Sequence, residues 1–169
     1  RLLLRLHPRA KGRVLKANGF SYEKFVARLE EKMPSVQMDD YKLDFKEKAL
    51  ASRLNVIDYF YATPFALCIG MNAPTILFGP DLDFLKPRQD ADSIFDELFR
   101  VGIFHTSPRS AARLIGEICD NVAEWWLAPD RQSVVAAYRH NYARCAADAD
   151  KQWSRFLVEL ANSKTPEAV

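Results

Sequence analysis

The chain has 169 residues, 49 % of them apolar, a formal net charge of +2 and three widely spaced cysteines, Cys68, Cys119 and Cys145. That composition supports one packed domain and disfavours disorder outside the stretch after Ala161. It excludes a polycation, the cysteine spacing excludes zinc ribbons and thioredoxin-like motifs, and no apolar run approaches the roughly 20 residues of a membrane helix.

In chain order, LLLRL (2–6) is a short apolar run ended by Pro8, the pattern of a buried parallel strand. Residues 9–20 are expected to be loop, with Gly12 and Asn18-Gly19 as turn signals. Ser21 is placed to cap a helix whose apolar face holds Phe25, Val26 and Leu29, and Pro34 stops it. VQM (36–38) is a second expected strand, followed by Asp39 and Asp40, a paired-aspartate turn within reach of any cleft at the strand ends. Residues 43–54 read as an amphipathic helix with apolar positions at 43, 45, 49, 50 and 54. NVIDYF (55–60) is a third strand with Asp58 near its C-terminal edge.

Thr63-Pro64 combines a capping residue with a first-turn proline. The helix it starts is apolar nearly all round, hence buried, and Asn72-Ala73-Pro74 ends it. TILF (75–78) is a fourth strand, apolar on both faces. SIFDELFRVG is a helix closed by Gly102, IFH (103–105) a brief strand, and Ser107-Pro108 repeats the cap-plus-proline start. The rest, to Ala161, is expected to be helical and holds all three tryptophans. Trp125 and Trp126 point about 100° apart on a helix, which suits core and junction packing better than one stacking ligand. Each cysteine is expected as a small buried side chain, in keeping with a reducing compartment. Strand–helix alternation at this spacing predicts an α/β fold with a parallel sheet.

Charge is unevenly spread. Residues 1–16 hold six basic and no acidic groups, while the remainder holds 18 basic and 22 acidic. A local positive patch on a mildly acidic body suits a small anionic ligand, not a nucleic-acid track. In parallel sheets ligands bind beyond the carboxyl ends of the strands. Two segments are expected there: His7-Pro8-Arg9 after the first strand, and Tyr61-Ala62-Thr63-Pro64 before a helix. A helix start presents unpaired N–H groups and partial positive charge, so the Thr63 hydroxyl and the Phe65 amide are placed to grip phosphate, with hydrogen bonds from His7 and Arg9. Asp81, Asp83 and His105 follow later strands and are candidates for sugar or base contacts. His140 lies mid-helix and reads as structural or exposed, and three scattered histidines make no metal site. There is no Walker A loop, G-x-G-x-x-G or G-x-S-x-G.

The ordered blocks RLHP, YATPF, NAPTILFGPDL, GIFHTSPRSAA and WWLAPD resemble the C-terminal half of a bacterial family of transferases for surface carbohydrate biosynthesis, over about residues 1–157. More distantly, His-Pro after a strand plus a Ser/Thr helix start resembles bacterial sialyltransferases and CDP-polyol phosphotransferases. The resemblance implies the C-terminal domain of a GT-B architecture: a Rossmann-like parallel sheet with flanking helices over 1–122, C-terminal helices over 123–161 that pack on it or cross to an N-terminal domain, and a flexible tail over 162–169. It implies phosphate contacts from His7 and Thr63, with Pro8 shaping the turn. The sequence departs from the family's T-x-F-L-E pattern at Leu67, where the pattern has Glu.

The resulting expectation is the nucleotide-sugar-binding half of a glycosyltransferase. Its donor would be CMP-, CDP-, UDP- or GDP-linked, its acceptor a glycan or lipid-linked sugar, with no tightly bound cofactor and no metal. The chain opens without Met inside an expected strand. An N-terminal domain holding the catalytic base is therefore expected as its partner, in a protein that is cytoplasmic or peripheral to the inner membrane. The rival expectation is a non-catalytic, degenerate transferase fold kept for interaction.

Overall fold

The structure is a computed structural model that describes residues 2–6, 21–58, 63–79, 92–144, 146 and 148–163. The chain divides into two compact units, Arg1–Asp44 and Phe45–Val169.

In the first unit, β1 (Leu2–Leu4) and β2 (Val36–Met38) pair in parallel with Leu2 opposite Val36 and Leu4 opposite Met38. Helix α1 (Tyr22–Lys32) joins them. Ser21 caps it as expected, its side chain accepting from the Lys24 N–H at 3.3 Å, and Glu23 complements the positive helix start. The Met33 N–H closes the other end on the Leu29 carbonyl, one residue before Pro34. The first strand is not buried as expected: Leu2 and Leu3 are exposed. A two-stranded sheet has too few neighbours to cover both its faces.

The second unit contains α2 (Phe45–Ala51), β3 (Asn55–Ile57), α3 (Thr63–Gly70), β4 (Thr75–Phe78), α4 (Asp92–Arg100) and β5 (Phe104–His105). Four helices follow: α5 (Pro108–Ile118), α6 (Val122–Leu127), α7 (Pro129–Tyr142) and α8 (Ala149–Ser163). The strands form a parallel sheet in the order β3-β4-β5. Central β4 alternates between two cores, as side chains of a strand must. Leu77 packs with Phe65 and Ile69 of α3, Leu98 of α4 and Val134, Val135 and Tyr138 of α7. Ile76 and Phe78 pack with Ala111, Ile115 and Ile118 of α5 and with Val122. Helices therefore cover both faces, and burying each of these large side chains contributes about 1.5–3 kcal/mol. The fold is α/β of the Rossmann-like kind, with parallel strands flanked by helices and a helical tail.

Three details fix the layers. Asn72 ends α3 in the left-handed region (φ 55°), which Asn tolerates better than most residues. Its carbonyl and side-chain oxygen both accept from the Trp126 indole N–H, at 3.0 and 3.1 Å. Arg131 on α7 donates to the carbonyls of Val101 and Trp125 and stacks on the Trp125 ring at 4.3 Å. Trp126 is thus a core residue and Trp125 a junction residue. Cys68 is buried, but Cys119 is exposed because it follows Ile118, the last buried position of α5; Cys145 lies outside the described residues. No described helix is long and apolar enough to cross a membrane.

Candidate functional site

The parallel register aligns the carboxyl ends of β3, β4 and β5, so Asp58, Gly79 and Thr106 leave the second unit's sheet along one edge. Helices α3 and α5 both start on the side of that edge. Helix α3 begins at Thr63 itself, which is exposed. No acidic residue in its first turn offsets the positive end of the helix. Phe65 anchors this start: its ring is 1 % exposed and meets Tyr138 edge-on, with centroids 5.3 Å apart. Burial pushes the Tyr138 phenol up to about 12, so it remains a neutral wall for that ring. Leu67, in the next turn, is half-buried.

Helix α5 starts at the same edge. Ser107 is its N-cap, with the hydroxyl accepting from the Ser110 N–H at 3.2 Å, and Pro108 stands in the first turn. Directly before it, the His105 ring is held on both nitrogens. Nε2 lies 3.2 Å from the Gly102 carbonyl and Nδ1 3.2 Å from the Ser110 hydroxyl. A carbonyl only accepts, so Nε2 bears the proton; the Ser110 hydroxyl beside Nδ1 also donates to the Ser107 carbonyl at 2.9 Å, so its one proton is shared between that carbonyl and the ring. Burial, seconded by the Arg113 charge, holds the imidazole below the ordinary histidine range despite the Gly102 hydrogen bond. Gly102 supports this with a left-handed φ of 74°, closing α4 as its sequence position predicts.

The end of β1 in the first unit is built differently. One step past the Leu4–Met38 pair, Arg5 meets Asp39 at 2.9 Å, with the carboxylate side chain fully buried. The same guanidinium donates to the carbonyls of Leu43 and Asp44 and lies 5.1 Å from the centre of the Tyr41 ring. Tyr41 has a φ of 58°, an outlier for an aromatic residue, and its hydroxyl donates to the Leu6 carbonyl at 2.9 Å. Asp40 accepts from the Lys42 N–H and pairs with its ammonium at 3.4 Å. So Arg5, read in the sequence as part of the free positive patch, instead clasps Asp39, and Asp39 is a structural anion here.

Of the sequence-derived site residues, Thr63, Phe65 and His105 are described, and all three belong to the side of the sheet where α3 and α5 start. His7, Pro8, Arg9, Tyr61, Ala62, Asp81 and Asp83 lie outside the described residues. Among the described residues no three His, Cys, Asp or Glu come together as metal ligands. Sequence reading missed the Arg5–Asp39–Tyr41 clasp. Its signal was an Arg inside an apolar run and an Asp just after the next strand, a pairing that only the strand register reveals. A family model described as LIC12162 family transferase matches residues 1–157. No curated protein and no solved structure gives a significant match.

Proposed function

The chain belongs to the LIC12162 family of transferases, and from that premise we propose that it is the nucleotide-sugar-binding half of a glycosyltransferase of GT-B architecture acting in surface polysaccharide biosynthesis. The observation that supports this most is the start of α3 on the carboxyl side of a parallel sheet, exposed at Thr63, anchored at Phe65 and without an acidic residue in its first turn. Such a start attracts phosphate through free N–H groups and the helix dipole.

In this reading the Thr63 hydroxyl and the Phe65 amide hold the donor phosphate. His7 adds a phosphate contact with Pro8 shaping its turn, as the family resemblance implies; Arg9 adds a charge-assisted hydrogen bond, and Tyr61 and Ala62 belong to the same phosphate-binding segment as Thr63. Charge building on the leaving phosphate is stabilised by these fixed donors, the usual means of electrostatic catalysis. Asp81 and Asp83 remain the candidates for donor-sugar or base contacts. His105 contributes through its ring edge only if Ser110 or Gly102 releases it, since both nitrogens are engaged. Donor binding is therefore the test of this reading.

A panel of CMP, CDP, UDP and GDP tests this by thermal shift. A nucleotide at a hundredfold excess over its Kd adds about 2.7 kcal/mol, a rise of about 5–10 °C for a chain of this size. Thr63→Val should weaken that nucleotide about tenfold, the loss of one hydrogen bond to a charged group. No stabilisation by any of the four overturns the reading. One observation favours a second one: Leu67, apolar and half-buried, stands where the family pattern has Glu, as in a fold retained for assembly.

A further inference from the structure

Helix α8 (Ala149–Ser163) has no buried residue, yet it is strongly amphipathic. Ala149, Trp153, Phe156, Leu160 and Ser163 recur at alternating spacings of four and three, which lines them up as a single coiled-coil seam. Leu157 widens it. Trp153 is 63 % exposed, Phe156 51 %, Leu157 55 % and Leu160 38 %. Trp153 and Phe156 already meet edge-on at 5.8 Å, so the stripe is a formed surface.

We propose that this stripe is a self-association surface, on which α8 of a second copy packs in antiparallel fashion. The proposal is independent of the transferase reading. Three observations select this occupant. The first is charge. A helix lying on an anionic bilayer flanks its apolar face with cations. Here Lys151 and Arg155 each sit two residues from Trp153, about 160° round the helix and so on its back, while Asp150 and Glu159 cancel their charge. The positions flanking the seam, Asp150 and Leu157 on one side and Gln152 and Glu159 on the other, carry no cation and suit a protein surface.

The second observation is shape. In antiparallel order Trp153 of one copy faces Phe156 of the other, and Ala149 faces Leu160. Each end layer then pairs a small with a larger residue, whereas a parallel pair would stack Trp on Trp and leave Ala against Ala. The surface is complementary to itself, as a twofold interface requires. The third is area. The open surface of the four large residues is about 500 Å² per copy, so with all of it covered the pair would bury about 1,000 Å², the lower bound for a specific interface.

Sedimentation equilibrium on the full chain tests this. At about 100 µM, a concentration suited to an interface of minimal size, the wild type should be dimeric. Trp153→Glu with Leu160→Glu should return it to monomer, and at concentrations low enough that both proteins are monomeric it should leave the thermal midpoint unchanged, because α8 has no buried residue. Lys151→Gln with Arg155→Gln should stay dimeric. A monomeric wild type, or a dimer that survives the Trp153→Glu/Leu160→Glu change, overturns the proposal. Cosedimentation with phosphatidylglycerol vesicles that those two changes abolish would assign the stripe to a membrane surface and overturn it equally.

Discussion

Asp39 has no solvent access, and its charge is answered by an Arg5 side chain that is only 22 % exposed. Removing one partner of such a pair leaves a charge without compensation, so Asp39→Ala should cost about 3–5 kcal/mol in urea denaturation, while Arg5→Met with Asp39→Leu should recover most of it. His105 gives a pH signature. Its folded pKa lies below the unfolded value of about 6.5 because burial disfavours the cation. The unfolded chain therefore takes up the proton first. The stability this histidine confers is complete above about pH 6.5 and is lost as the pH falls through the folded value, where the decline levels off. Thermal melts of wild type and His105→Gln against pH should differ in slope over that window alone. The role of Asp39 cannot be read from its neighbours in sequence, since the clasp needs the β1–β2 register; the His105 ties, to Gly102 and Ser110, are local and follow the turn that Gly102 makes.

Among the elements, the local signals were the legible part. Ser21 and Ser107-Pro108 cap helices where the sequence places caps, Gly102 ends α4, the runs at 36–38 and 75–78 are strands, and the run expected at 55–60 is a strand over 55–57 that ends before Asp58. These rules act over three or four residues and need no tertiary information. Gly102 offers a direct check. A Cβ there would meet Leu114 Cδ2 at 3.5 Å, an ordinary contact, so space is not limiting. The left-handed backbone is, and Gly102→Ala should cost about 1–2 kcal/mol, a fall of about 2–8 °C in melting temperature measured by calorimetry. Layer assignment was not legible. Helices α5 and α7 are both amphipathic or mixed in pattern, and nothing within either says which sheet face it covers. The same holds for β1, whose apolar residues imply burial that a two-stranded sheet cannot supply.

For the whole molecule, alternating strands and helices were enough to predict an α/β class with parallel pairing, because only crossover helices can join parallel neighbours. The candidate site was legible in one part, the exposed helix start at Thr63. Its electrostatics were less so, since counting basic residues over 1–16 credited Arg5 with a charge that Asp39 neutralises. The two cores of the second unit lie on opposite sides of its sheet, and Trp125 packs against both. One indole thus fastens the layers together around the rim, and next to it Trp126 sits 5.7 Å away. Loosening either layer disturbs the pair, so the two sides melt in a single cooperative step, reported by the indole emission of a Trp153→Phe variant, in which only this pair remains.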